Sequence, residues 1–280
     1  MKHAVIGRSG LQYELGSYGF SRLTFRRPRR TLDAPYAAFV GGAETFGKFL
    51  EDPFVDRIER RTGVTCVNFG IVNAGIGAHL GDSAVMATCH DAALTVVELM
   101  GAHNLSNRFY QVHPRRNDRF VRATPLLQEV YDEVDFADFV FTRHMLAALR
   151  SVCPKRFEIV RRELRRVWVE RMTEFLSELP RKPLLLWLAP RHDDEAETDA
   201  EWMEPLFVTS GMIEKIRPLG RGLIEICPDA KSLEVGRRVL VHEPGEAKAA
   251  NLMMGADAHE QVARAIGPIV ASFADRGPGG

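Results

Sequence analysis

Apolar residues in this chain follow two spacings. From Pro35 onward, short unbroken apolar runs alternate with stretches where an apolar residue returns every third or fourth position. The first spacing suits strands buried on both faces and the second suits amphipathic helices, so their alternation predicts βαβ units around a parallel sheet. Five runs qualify as strands: Ala37 to Val40, Val64 to Phe69, Leu94 to Met100, Pro183 to Leu188 and Gly222 to Ile226. The expected architecture is α/β, a three-layer α/β/α sandwich with a five-stranded parallel sheet.

The helix signals agree with this frame. Asp52 as N-cap, Pro53 at the first helical position and Gly63 past the end bracket a helix with Phe54, Val55 and Ile58 on one face. A second helix is expected from Ser83 to Ala93, and a long one from Pro154 to Leu179 whose arginines and glutamates lie opposite its apolar stripe. The last helix should run from Ala258 to about Phe273, opened by Asp257 and Glu260 as a capping box. Residues 1–35 carry scattered glycines and the run Arg26-Arg27-Pro28-Arg29-Arg30 with little periodicity, and read as an arm laid over one domain spanning 36–280. Residues 106–150 form a long insertion rich in aromatics, expected to act as a lid or as a contact between copies of the chain. The acidic stretch from His192 to Glu204 reads as a solvated loop.

Composition narrows the function classes. A chain of 280 residues can bury one large core, and with 37 basic and 37 acidic side chains its net charge is zero, so no bulk field draws it to nucleic acid. Cys66, Cys89, Cys153 and Cys227 have no CxxC spacing and read as reduced core thiols. With no secretory signal pattern and no apolar segment of membrane-spanning length, the expected setting is cytoplasmic. No metal-ligand spacing, GxxxxGK[ST] or strand-following GxGxxG occurs, so neither a metal nor a nucleotide cofactor is expected.

Chemistry is expected beyond the carboxyl ends of the strands, where ligands bind in open parallel sheets. Three strand ends run into glycine-bearing loops: Gly41-Gly42-Ala43-Glu44-Thr45-Phe46-Gly47, Asn68-Phe69-Gly70-Ile71-Val72-Asn73-Ala74-Gly75 and Gly101-Ala102-His103-Asn104. Together with the late Asp257-Ala258-His259, these segments resemble the four sequence blocks of the SGNH (GDSL-like) hydrolase superfamily over roughly residues 36 to 270. The resemblance implies a flavodoxin-like sheet order and an ester hydrolase or acyltransferase acting on a small molecule or saccharide. It also implies roles: Gly70 would donate its backbone N–H and Asn104 its side-chain amide to an oxyanion, Asp257 would orient His259, and His259 would be the base. Ala43 stands where the family carries its serine, and an alanine cannot attack a carbonyl. Thr45 as a replacement nucleophile, Glu44 as a base for water or a substrate hydroxyl, and a merely structural tight turn all remain open. The YG-S-R-L, GG-ET-FG and SNR-Y-VHPRRNDRF segments are also similar to those of a bacterial domain family to which no activity is attached.

A second dense segment follows the third strand, from Ser106 to Phe120. Arg108, Arg115, Arg116 and Arg119, with His113 among them and Asn73 and His103 upstream, suit a carboxylate, sulfate or phosphate, since guanidinium groups hold such anions in a two-pronged way. Equally, the arginines would pair with Asp118, Asp132, Glu133 and Asp135 and only pin the insertion down. Three functions follow: an esterase or acyltransferase with a non-standard nucleophile, an inactive module binding an anionic saccharide or metabolite, or a transferase of sulfate or phosphate.

Overall fold

A computed structural model describes residues 10–190 and 204–274. Two short strands, β1 (Leu15–Gly16) and β2 (Phe25–Arg26), pair within the arm. The main sheet consists of β3 (Tyr36–Gly41), β4 (Thr65–Gly70), β5 (Leu94–Glu98), β8 (Leu184–Leu188) and β9 (Gly222–Ile226), all parallel, while β6 (Tyr110–His113) and β7 (Arg116–Ala123) form a separate antiparallel hairpin. Across the main sheet the order is β4-β3-β5-β8-β9. The chain leaves β3 for one edge, returns to the other side at β5 and continues outward, so the order reverses between β3 and β5.

Alternation along each strand sorts the core into two layers. Ala38, Val40, Val67, Phe69, Val97, Leu185 and Trp187 face one way, against the helices Ser83–Asp91, Pro154–Glu178 and Ser210–Ile216. Ala37, Phe39, Cys66, Val96, Leu184 and Leu186 face the other way, against the helices Phe54–Thr62 and Ala256–Ala274. This is the three-layer α/β/α sandwich with a five-stranded parallel sheet. The long helix is also tied to the sheet edge by a polar contact, the Trp168 indole N–H donating to the Met100 carbonyl at 2.7 Å.

Several boundaries and details differ from expectation. Pro53, not Asp52, occupies the N-cap, and the helix starts at Phe54. The Asp52 carboxylate instead pairs with Arg57 and Arg60. The last helix begins earlier, at Ala256, and Glu260 bonds Arg57, Arg61 and Arg264 in place of a capping box. All four cysteines are free thiols, but only Cys66 and Cys89 are buried, and Cys227 is exposed. The predicted acidic loop from His192 lies outside the described residues up to 203. Among the described residues no helix is long and apolar enough to cross a membrane.

The arm is anchored through donors and apolar side chains. Tyr18, Leu23 and Phe25 are buried in the main core, and the Arg26 guanidinium donates to the carbonyls of Gly47, Leu50 and Glu51. In the insertion, Phe109, Tyr110, Phe120, Tyr131 and Phe136 join the same core, so they pack the hairpin down and are spent as core. The Tyr110 hydroxyl donates to the His103 carbonyl at 2.6 Å.

Gly70 sets how closely the turn after β3 approaches β4. A Cβ there would sit 2.0 Å from the Phe46 backbone nitrogen, a contact only a backbone shift could relieve. We expect Gly70→Ala to cost at least about 3 kcal/mol, the upper range for overpacking, read as a lower urea midpoint at unchanged slope; a variant as stable as the parent would contradict this packing.

Candidate functional site

The reversal point between β3 and β5 is where an open α/β sheet leaves a crevice, because the loops on either side depart in opposite directions. A cavity of about 150 Å³ lies there, walled by Gly42, Ala43 and Glu44 after β3, Asn73 and Ala74 after β4, Glu98 to Gly101 and His103-Asn104 after β5, and Met253-Met254 before the last helix.

Glu98, the last residue of β5, was not singled out from the sequence. Its Oε2 accepts from the backbone N–H groups of Gly42 and Thr45, each at 3.0 Å, and from the Thr45 hydroxyl. Among the described residues all of its hydrogen bonds fall on Oε2, and Oε1 lies beside Gly42 in the cavity wall. Burial pushes the Glu98 carboxyl up to about 7; the nearby Glu44 adds to the rise, and the bonds from Thr45 and Gly42 oppose it. A charged residue inside the apolar run Val96-Val97-Glu98-Leu99-Met100 was the available signal, since a carboxylate is rarely buried without a purpose.

Glu44 is also in the wall, with both oxygens engaged. Oε1 accepts the Met254 backbone N–H at 2.9 Å, and Oε2 accepts from the His259 Nε2 at 3.0 Å. His259 Nδ1 accepts the Phe54 backbone N–H at 3.1 Å, which assigns the remaining proton to Nε2. The imidazole is thus fully enclosed and bridges the start of the helix Phe54–Thr62 to the turn after β3. The structure brings Glu44 and His259 together as a residue pair but corrects the histidine's expected role: both ring nitrogens are occupied and the ring does not line the cavity. Asp257 is not its orienting partner, because Phe54 takes that nitrogen.

The other block residues divide similarly. Thr45 is buried and aims its hydroxyl at Glu98, so as a nucleophile it would not reach the cavity. The Gly70 N–H donates to Asn68 Oδ1 at 2.8 Å and is not free for an oxyanion. Asn104 does line the cavity; one amide N–H goes to the Asn73 carbonyl at 2.8 Å, and its Oδ1 accepts from Thr142 at 2.6 Å, which leaves its second N–H. Asn73 itself has a left-handed backbone, with φ of 59°. His103 also lines the cavity, its Nδ1 buried without a hydrogen bond and its Nε2 3.5 Å from Glu204. Burial pushes the pKa of His103 down, so the ring is neutral, with Glu204 opposing the shift.

The arginine segment is split. Arg108 pairs with the buried Glu163 at 3.3 Å and is used structurally. His113, Arg115, Arg116 and Arg119 instead line an open groove of about 830 Å³ between the arm and the hairpin, which Asn73 and Ala74 also border. The expected pairing with Asp118, Asp132, Glu133 and Asp135 is not found: Glu133 is taken by Arg156, and among the described residues Arg115, Arg116 and Arg119 have no acidic partner. The His113 Nδ1 accepts the N–H groups of Arg115 and Arg116, both at 3.2 Å, and so holds the hairpin turn. No group of metal-ligating side chains occurs among the described residues.

No curated protein matches the chain by sequence. Among solved structures, a gut microbial diltiazem-metabolizing enzyme aligns with 88% of this chain at 12% identity and a TM-score of 0.32. The chain spans about half of that structure, 48% of its length, and so distant a likeness carries nothing over to the site. The sequence model of a family described as Domain of unknown function (DUF6473) matches residues 1–274. That match takes in the arm, the sheet, the hairpin and the last helix, and the chain belongs to this family.

Proposed function

We propose that the cavity between β3 and β5 is an SGNH-like active centre that hydrolyses or transfers a short acyl ester, with Glu98 replacing the serine and histidine as general base. The carrying observation is the Glu98 carboxylate, anchored through Oε2 and open through Oε1 at the wall of a strand-end cavity. A base titrating near 7 combines a usable ionised fraction with enough basicity to take a proton in the transition state. In the reaction, Oε1 removes a proton from water or an acceptor hydroxyl, and the freed oxygen adds to the ester carbonyl. The charge arriving on the carbonyl oxygen meets the second N–H of Asn104. Collapse breaks the bond to the alkoxide, which leaves with the proton held by Glu98 and restores the carboxylate. No covalent enzyme ester forms, so alanine at position 43 is compatible with turnover. A cavity of about 150 Å³ is small beside the roughly 300–1,000 Å³ of ordinary ligand clefts, which favours an acetyl-sized acyl group on a hydroxyl compound such as a saccharide.

A second reading, an inactive binding module, draws on Ala43 and on the full occupancy of the Glu44 oxygens by Met254 and His259. Fluorogenic acetyl and butyryl esters separate the two. Catalysis predicts turnover that rises with pH to a plateau above about 7, falling about 10²- to 10⁴-fold in Glu98→Gln at similar KM. Turnover of neither ester would favour the module, whereas undiminished turnover in the variant would remove Glu98 as the base.

The same carboxyl makes a separate prediction about stability. Its folded value lies above the ordinary 4.5, so the fold favours the protonated form; the resulting stabilisation is complete below 4.5 and is lost as pH rises through about 7. Glutamine cannot titrate, so the stability difference between the parent and Glu98→Gln should change by about 3 kcal/mol in the parent's disfavour between pH 4 and pH 8. Denaturant titrations at both pH values measure it, and a pH-independent difference would mean that the carboxyl is not buried as described.

A further inference from the structure

The groove beside the cavity has four arginines and one aspartate in its lining, in a chain whose net charge is zero. Three of those arginines, Arg115, Arg116 and Arg119, come from the hairpin, and the fourth, Arg22, comes from the arm. The arm is fixed where Arg22 enters. The Ser21 hydroxyl donates to Asp82 Oδ2 at 2.9 Å and the Arg22 backbone N–H to the same oxygen at 3.2 Å. Asp82 also caps the helix Ser83–Asp91 through Oδ1, so its carboxylate holds backbone and hydroxyl groups and not the Arg22 guanidinium. Across the groove, the His113 ring fixes the backbone of Arg115 and Arg116, and Arg119 lies over the Phe141 ring at 5.4 Å. Among the described residues, none of the four guanidinium groups has a carboxylate within ion-pair distance. Four cations held in one cleft with a single acidic neighbour repel one another, and bound oxyanions relieve that repulsion while matching the guanidinium fork.

We infer that the arm and hairpin together form an anion site for a phosphate or sulfate ester group, which tethers the far end of the molecule whose ester lies in the cavity between β3 and β5. Asn73 and Ala74 border both spaces, so one molecule passes from the groove to the cavity across that wall. The assignment of the reacting end rests on the function proposed above, whereas the anion site stands on the groove alone. A small anionic molecule fits better than a nucleic acid, because the adjoining groove, which Arg22 and Arg115 also border, adds only Arg171, already paired with Glu174 at 2.6 Å, and the carboxylate of Asp82, so the positive charge does not continue along it as a track for a polymer.

Titration calorimetry with inorganic phosphate, sulfate and phenyl phosphate tests the site on the full chain. Each should bind, more weakly as salt rises, and Arg22→Ala, Arg115→Ala and Arg116→Ala should each weaken phenyl phosphate about tenfold or more. Arg171→Ala should leave the affinity unchanged, and so should Glu98→Gln, which separates failure of the catalytic reading from failure of this one. Circular dichroism on each variant establishes that it is folded, and Arg115→Lys, which keeps the charge without the fork, should recover part of the affinity. No binding of any of the three anions, or equal weakening by Arg171→Ala, would overturn the proposal. It would also fall if a 20-nucleotide single-stranded RNA displaced phenyl phosphate and bound far more tightly, since that result would assign the groove to a polymer.

Discussion

The turn after β3 is held from two sides by carboxylates, and the site depends on that arrangement. From the neighbouring strand, Glu98 takes the N–H groups of Gly42 and Thr45 and the Thr45 hydroxyl. From within the turn, Glu44 reaches the opposite way, to the Met254 N–H and the His259 ring. His259 then accepts the Phe54 N–H, a donor that an α-helix leaves unpaired at its start. Through Gly42, Glu44 and Thr45 the turn is thereby tied to β5, to the last helix and to the helix after β3. Backbone N–H groups buried at a strand end cost free energy unless they are paired, and the two carboxylates pair them without closing the cavity.

The layered fold was legible because burial on both faces leaves an unmistakable run of apolar residues, and the five predicted strands match the five observed to within one or two residues. Gly222 to Ile226 coincides at both ends. Start positions of helices were less legible. The Phe54 N–H is satisfied by a histidine 205 residues away, so no local capping residue marks the helix start. The hairpin Tyr110–His113 with Arg116–Ala123 was hidden for another reason. Its register slips between Gln111 and His113, which breaks the alternation that would announce a strand, and its aromatics are buried in the main core by tertiary contacts.

The candidate site was legible as a location and much less as a set of roles. The glycine-bearing strand ends do meet around one cavity, and Ala43, Glu44, Asn73, His103 and Asn104 all border it. Spacing along the chain identifies which loops converge but not where each polar atom points. Gly70 and Asn104 illustrate the gap: both occupy the expected loops, yet Gly70 spends its N–H on Asn68 while Asn104 keeps one to spare. A histidine near the start of a late helix likewise reads as a base until its ring nitrogens are accounted for. Glu98 is hard to read from sequence because it sits inside a strand whose apolar neighbours mark it as core, although its charge is the anomaly in that run.

A small cavity and a large charged groove make complementary demands on a bound molecule. An acyl group that fits about 150 Å³ has little surface to bury, so the reacting end alone provides little binding free energy. General-base catalysis without a covalent intermediate also requires water, ester carbonyl and carboxylate to be aligned at once, an entropic cost that binding elsewhere on the molecule can offset. Under the anion site proposed above, the guanidinium groups across the Asn73 wall, which have no carboxylate partner among the described residues, would supply such a remote handle, and the pinning of the arm by Asp82 gives it a fixed position relative to Glu98. In that proposal the arm is part of the recognition surface, because without Arg22 the groove would have arginine charge on one bank only.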